Sequence, residues 1–171
     1  ILIYPVAGIL LIGIIMLLIN PFVASINTGL NNFLFSMSGV NKVILGAILA
    51  GMMSVDLGGP VNKAAYTFGT GMLAEGHYEI MAAVMIGGMV APLAIAILAT
   101  FFPKKLPKKE RQAGLLNYVM GLSFISEGAI PFASADPIRV LPACVIGSAV
   151  SGALSMAFNC SLMAPHGGIF V

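Results

Sequence analysis

Three short polar stretches carry most of the residues in this sequence that could do chemistry. They run from 56 to 63 (DLGGPVNK), from 126 to 132 (SEGAIPF) and from 164 to 168 (APHGG). Each combines Gly or Pro with an ionisable residue, and each lies within or beside an apolar segment. Non-helical backbone is tolerated at membrane depth only where it is buried or lines a wet cavity, and ionisable residues there usually mark a substrate or ion path. We therefore expect the three stretches to form the binding site of a transporter.

The first stretch offers hydrogen-bond donors beside a helix break. Asn62 and Lys63 can donate to the hydroxyl groups of a ligand. A helix that begins after the two glycines would also point its positive dipole end into the break. Alternatively, Lys63 extends to a lipid headgroup and pairs with Asp56. The ligand contacts predicted from this stretch are Asp56, Gly58, Gly59, Asn62 and Lys63.

The second and third stretches offer groups that can accept or transfer a proton. Glu127 follows an apolar segment, where a carboxylate is costly unless it is used. It can accept from ligand hydroxyls or act as a general base toward a reacting hydroxyl, and the alternative is a structural pair with Arg139 or Lys63. His166, followed by Gly167, can donate to or accept from a hydroxyl near neutral pH. The alternative for His166 is an interior histidine with satisfied hydrogen bonds.

Asp136, Pro137 and Arg139 form a further polar group with two possible roles. Asp136 followed by Pro137 is typical of a helix start, with the carboxylate as N-cap. Arg139 would then be a nearby counter-charge. Alternatively, Arg139 faces a phosphate, because a guanidinium matches phosphate geometry.

Composition indicates a membrane protein. Of the 171 residues, 59% are hydrophobic and 8% are charged, whereas soluble domains carry about 25% charged residues. Five Lys/Arg residues lie between 104 and 111, which predicts that the loop 103–112 faces the cytoplasm. This loop accounts for the net charge of +2, so we expect no nucleic-acid partner. Cys144 and Cys160 lie within one apolar stretch and match no metal spacing, so we expect both thiols to be buried and structural, with no metal and no cofactor.

The elements that must position these residues are all helical. We predict an all-α membrane fold, a polytopic bundle with discontinuous helices or re-entrant hairpins near 56–63, 126–136 and 164–168. Residues 1–42 would form a spanning helix, ended by Asn20-Pro21, plus an amphipathic or ordinary connecting helix, and residues 43–171 the transport portion. The other predicted helices cover 43–57, 61–73, 79–102, 113–125 and 137–161.

These motifs, in this order, resemble one family. DLGGPVNKAA at 56–65, SEGAIPF at 126–132 with Asp136-Pro137, and APHGG at 164–168 are similar to the fructose-family membrane component (IIC) of the bacterial phosphoenolpyruvate-dependent sugar phosphotransferase system. The resemblance covers residues 43–171 well and residues 1–42 only in general character. Because the sequence starts without Met and has few membrane segments, we expect it to be a piece of a longer protein.

The resemblance implies a homodimeric, multi-pass permease of the bacterial inner membrane, in contact with membrane lipid. It would bind fructose or a related sugar and present it to a phosphorylated IIB domain, whose phosphocysteine gives up the phosphate. The IIC part would supply binding rather than a phosphoryl intermediate, with Glu127 as its catalytic group. The family's glutamate and histidine motifs correspond to Glu127 and His166, and its GGPVNK motif to residues 58–63.

Two other functions are compatible with the pattern. In a proton-coupled secondary transporter of a small polar solute, Asp56, Glu127 and His166 would carry protons. Uptake would then follow a pH gradient without phosphoenolpyruvate. A purely structural membrane subunit is the weaker alternative, because it leaves the three ionisable breaks unexplained.

Overall fold

The computed structural model describes residues 3–37 and 41–171. All regular structure in these residues is helical, which confirms the all-α prediction. Contacts divide the chain into two compact units, Ile1–Ser36 and Met37–Val171, each described by itself below. The helices are α1 (Ile3–Met37), α2 (Lys42–Val55), α3 (Pro60–Ala74), α4 (Tyr78–Phe101), α5 (Lys108–Leu122), α6 (Ile130–Ala135) and α7 (Pro137–Ala157), with short 3₁₀ turns at Pro103–Lys105, Ser126–Ala129 and Gly168–Phe170. Positions 1, 2 and 38–40 of the predicted spanning helix and connector lie outside the described residues.

The first unit consists of most of α1. This helix continues through Pro21 for 35 residues, so the prediction that Asn20-Pro21 ends the first helix is wrong. A proline removes one backbone N–H and bends a helix without necessarily ending it. Large apolar side chains such as Ile9, Leu17 and Leu18 are exposed within this unit. A helix with this much apolar surface needs lipid or other helices to cover it.

The second unit contains two short helices on either side of the first break. The helix α2 ends at Val55, and α3 begins with Pro60 at its first position. Within the described residues, α4 and α7 are long and apolar enough to cross a membrane, while Val6–Phe22 and α2 are shorter apolar segments.

Two helix ends differ from prediction by four residues or more. The helix α5 begins at Lys108 rather than 113, because Lys, Glu, Arg and Gln are good helix formers and Glu110 lies in the first turn, where the dipole favours an acid. The helix α7 ends at Ala157 rather than 161. Just beyond it, Asn159 has a left-handed backbone with φ +52°.

Small residues let α2, α4 and α7 cross closely. A Cβ added at Gly46 would lie 2.6 Å from the carbonyl oxygen of Gly152, and one at Gly87 would lie 2.5 Å from the Cα of Ala50. Beside this crossing, the buried hydroxyl of Ser148 donates to the Gly87 carbonyl over 2.8 Å and lies 2.6 Å from the Ser54 hydroxyl oxygen. Small residues and interhelical hydrogen bonds are what hold helices together in lipid.

The second break rests on a small apolar cluster. It packs Ala129, Phe132 and Ala133 against α4, α7 and the turn after α2; the other buried members are Leu57, Ala91, Ile95 and Cys144. Cys144 is therefore a buried packing residue, as expected. Cys160 is exposed and lies beyond the end of α7, so the expectation that both thiols are buried is wrong for Cys160.

Candidate functional site

The first break is shaped by the side chain of Asp56. Its two carboxylate oxygens accept the backbone N–H groups of Val61 over 2.7 Å and Asn62 over 3.0 Å. The first N–H groups of a helix have no partner within the helix, so Asp56 supplies the partners that the N-terminus of α3 lacks. Gly59 leaves room for this, because a Cβ there would lie 2.5 Å from Asp56 Oδ2. The predicted role of Asp56 as a ligand contact stays a prediction, and its observed position is beneath the α3 N-terminus.

Asn62 connects the first break to the second. Its side chain is buried, and Nδ2 donates to the Met53 carbonyl over 2.7 Å and lies 3.4 Å from the Ser126 hydroxyl oxygen. Because the amide nitrogen is held by the end of α2, the orientation of the amide is fixed. Among the described residues no partner is found for its oxygen, which leaves an acceptor for a ligand hydroxyl.

Lys63 and Glu127 face each other across the two breaks. Lys63 Nζ lies 3.6 Å from Glu127 Oε1, with 60% and 45% of the side chains exposed. Two ion-pair partners were expected for Glu127, Arg139 and Lys63, and the structure has Lys63. The expected ion pair between Lys63 and Asp56 is therefore wrong. Gly58 has φ +114°, and a Cβ there would lie 2.8 Å from Glu127 Oε1. The glycine therefore allows the turn and leaves space for the carboxylate.

The third break brings His166 to the same place. His166 is exposed, and its ring meets Phe124 edge to face with centroids 5.1 Å apart. On the other side, Tyr66 of α3 contacts Phe124 with centroids 6.2 Å apart. Gly167 and Gly168 have φ +124° and +63°, a conformation that glycine adopts without strain.

Together these groups line one pocket of about 270 Å³. Its volume lies near the lower end of the range of roughly 300–1,000 Å³ for small-molecule sites. Two kinds of wall are present: hydrogen-bonding groups from all three breaks and an apolar side. The lining residues are Met53, Asn62, Lys63, Tyr66, Phe124, Ile125, Ser126, Glu127 and His166. Such a surface suits a small ligand that carries several hydroxyl groups.

The structure sorts the predicted site residues into three groups. Asn62, Lys63, Glu127 and His166 line the pocket. The backbone around it is formed by residues that do not line it, namely Asp56, Gly58, Gly59 and Gly167. Arg139 lies apart from the pocket lining, with Nη1 3.5 Å from Asp136 Oδ2 in the first turn of α7. Asp136 occupies the predicted N-cap position, but its side chain makes no capping hydrogen bond.

The sequence reasoning missed Tyr66, Phe124 and Ser126. Tyr66 follows Asn62 by four positions on α3, so the helical repeat places the two on one face. Ser126 is the neighbour of Glu127 in the second stretch. No signal in the sequence distinguishes Phe124 from a core aromatic residue. Within residues 3–37 and 41–171, no three His, Cys, Asp or Glu side chains come together as a possible metal site.

Comparisons with known proteins point to one family. The family model described as "Phosphotransferase system, EIIC" matches residues 1–147. A "PTS system fructose-specific EIIABC component" of Bacillus subtilis (strain 168) is 51% identical over all of this chain and 27% of its own length. A "Fructose permease IIC component" of Bacillus amyloliquefaciens is 53% identical, over all of this chain and 56% of its length.

A "PTS system fructose-specific EIIB'BC component" of Escherichia coli (strain K12) is 52% identical over all of this chain and 31% of its length. The chain thus spans between about a quarter and just over half of these relatives. No solved structure is significantly similar to it.

Proposed function

The chain belongs to the phosphotransferase system EIIC family, and from that premise we propose that it is the sugar-binding part of a fructose permease. The supporting observation is the pocket in which Asn62, Lys63, Glu127 and His166 meet. These four residues come from three separated stretches of sequence. The relatives are named as phosphotransferase components, so the proton-coupled alternative is not favoured.

Each pocket group has a role toward a bound sugar. The Asn62 amide oxygen and Glu127 carboxylate accept hydrogen bonds from sugar hydroxyls, Lys63 donates to them, and His166 does either. The apolar wall at Met53 and Ile125 lies against C–H groups of the ring. Because Lys63 and Glu127 are half exposed, sugar hydroxyls can enter between them and replace a weak ion pair with direct hydrogen bonds.

The bound sugar is then phosphorylated by a partner. The Escherichia coli relative is named an EIIB'BC component, and the family resemblance assigns the phosphate to a IIB phosphocysteine. The sugar hydroxyl oxygen attacks phosphorus, the phosphorus–sulfur bond breaks, and the cysteine thiolate leaves with the electron pair. Glu127 accepts the hydroxyl proton as general base. Because the sugar oxygen attacks the phosphorus of IIB directly, no phosphoryl group becomes attached to this chain.

The membrane arrangement follows from helix lengths and charge. The helices α4 and α7 cross the inner membrane, with the basic residues of 103–112, which include the start of α5, on the cytoplasmic side. With 14 and 15 residues, α2 and α3 are each short of the ~20 needed to span, which supports a re-entrant or discontinuous pair around the first break. The transport portion begins near residue 43, since all pocket residues lie beyond it. The family resemblance further implies that the protein is a homodimer in contact with membrane lipid.

The test uses the full-length protein in inside-out vesicles with phosphorylated IIB and labelled fructose. We expect labelled fructose 1-phosphate, and we expect Glu127→Gln to abolish it while the protein still inserts in the membrane. Near-normal activity of Glu127→Gln would remove the role assigned to Glu127. Accumulation of free fructose driven only by an imposed pH gradient would contradict group translocation.

A matched pair of histidine variants tests the pocket itself. His166 lines the pocket, whereas His77 lies exposed at the N-terminus of α4. We expect His166→Ala to weaken fructose binding strongly and His77→Ala to leave it unchanged. Equal effects of the two substitutions would contradict the site assignment.

A further inference from the structure

Phe124 connects the three breaks although it carries no polar group. Its side chain is only 6% exposed, and its ring contacts Tyr66 of α3, the helix that follows the first break, and His166 of the third break. Phe124 itself lies two residues after α5 and two residues before the second break. One apolar ring therefore lies beside all three breaks.

The backbone at Phe124 is held in an unfavourable conformation. Its φ is +64°, which is uncommon for a residue with a bulky side chain. Such outliers persist where the surroundings fix them, and they cluster at functional sites. A glycine would avoid this strain, so we ask what the phenylalanine ring contributes at this position.

Two glycines make room for this residue. A Cβ at Gly88 of α4 would lie 2.5 Å from Cε2 and 3.0 Å from Cδ2 of Phe124. A Cβ at Gly168 would lie 3.0 Å from the Phe124 nitrogen. The ring is thus seated directly on α4, and the segment that carries His166 is in close contact with the Phe124 backbone.

We propose that Phe124 is a positioning residue that holds the His166 imidazole in the sugar pocket. His166 is exposed and no hydrogen bond to its ring is found among the described residues, so the edge-to-face contact at 5.1 Å is the described interaction that orients it. This inference rests on the proposed function, in which His166 binds the sugar. It makes fructose affinity depend on Phe124 through His166.

The experiment is a double-substitution cycle in the full-length permease, read as fructose affinity per folded protein. Phe124→Leu keeps an apolar side chain and removes the ring contact. An aromatic contact of this kind corresponds to roughly a two- to tenfold effect, so we expect Phe124→Leu to weaken affinity by that factor. In the His166→Ala background, we expect Phe124→Leu to have less than about a twofold further effect. A merely structural role would lower protein yield but would not make the affinity loss depend on His166.

A second variant guards against misfolding of Phe124→Leu. Gly88→Ala acts from α4, outside the pocket lining: its Cβ would lie 2.5 Å from Cε2 of the Phe124 ring, and less tightly, at 3.1 Å, against the end of the flexible Met53 side chain. In contrast, Gly71 of α3 has no heavy atom within 4 Å of an added Cβ. We expect Gly88→Ala to reproduce the affinity loss and its dependence on His166, with Gly71→Ala unchanged. Unchanged affinity in both Phe124→Leu and Gly88→Ala, or equal losses with and without His166, would overturn the proposal. If His166→Ala alone leaves fructose affinity unchanged, the site assignment fails as well, which distinguishes the two failures.

Discussion

The hydrogen bonds of Asp56 to the start of α3 predict that the effect of Gly59→Ala on stability changes sign when the Asp56 side chain is removed. In the native chain, a Cβ at Gly59 would lie 2.5 Å from Asp56 Oδ2 and 2.7 Å from its Cγ. Gly59→Ala therefore displaces the carboxylate from the N–H groups of Val61 and Asn62. The backbone of Gly59, with φ −81° and ψ −163°, is open to alanine, so the effect comes from the side chain of Asp56.

The magnitude follows from two opposing contributions. Losing a capping side chain costs about 0.5–2 kcal/mol of stability, and the upper half of that range applies here because one carboxylate accepts two N–H groups. Replacing Gly by Ala at a compatible position recovers about 0.4–1 kcal/mol by restricting the unfolded chain. We expect Gly59→Ala to destabilise the native protein by a net amount of roughly 0.5–1 kcal/mol. In an Asp56→Gly background the clash and the cap are both absent, so the same substitution should stabilise by about 0.4–1 kcal/mol.

The assay is equilibrium unfolding of the full-length protein in detergent micelles, for the native chain, both single variants and the double variant. Gly71→Ala is the matched control, because it adds a Cβ to the same helix in open space. The reasoning is refuted if Gly59→Ala destabilises equally in the two backgrounds. In that case Asp56 would not be the group that the added Cβ displaces.

Three further predictions follow from buried contacts and from the ion pair. Asn117 is 1% exposed, and neither polar atom of its side chain has a hydrogen-bond partner in the described structure. Asn117→Leu should therefore raise the free energy of unfolding by about 1–3 kcal/mol. A loss of stability would contradict this. Gly46→Ala should destabilise by about 1–3 kcal/mol because its Cβ meets the Gly152 carbonyl; unfolding measured beside Gly71→Ala checks this, and identical values would refute it. Lys63→Met should cost less than about 1 kcal/mol of stability, because the ion pair with Glu127 is half exposed. The same substitution should weaken fructose binding. A large loss of stability with unchanged binding would instead make Lys63 a structural residue.

Much of the site could be predicted because its polar residues interrupt apolar segments. Asn62, Lys63, Glu127 and His166 stand out in this way, and the structure brings all four to one pocket. Phe124 could not be predicted, because an aromatic residue in an apolar segment has the same local pattern whether it supports a site or fills a core. The partner of Lys63 was also undetermined, because Asp56 is nearer in sequence and only the tertiary fold brings Glu127 closer.

Helix ends could be predicted where several helix-breaking residues occur together, and less well where a single proline or a cluster of charged residues is the only signal. Gly58, Gly59 and Pro60 end one helix and begin the next as expected. Pro21 does not end α1, because a proline bends a helix as readily as it stops one. The start of α5 at Lys108 does not follow from the sequence pattern, because a cluster of charged residues predicts a loop by composition although the helix propensity of these residues is high.

The close crossing of α2, α4 and α7 divides the second unit into a part that resists deformation and a part that can move. Gly46, Gly87 and Gly152 leave no free space at the crossing, and Ser54 and Ser148 join the helices by buried hydrogen bonds. Densely packed interfaces move as units rather than bend continuously. Any rearrangement that opens the pocket to one side of the membrane and then the other would therefore take place in the connecting segments. These segments carry Glu127 and His166, so these two proposed sugar-binding residues would move, while the three-helix frame and the Asn62 amide held by the Met53 carbonyl stay fixed.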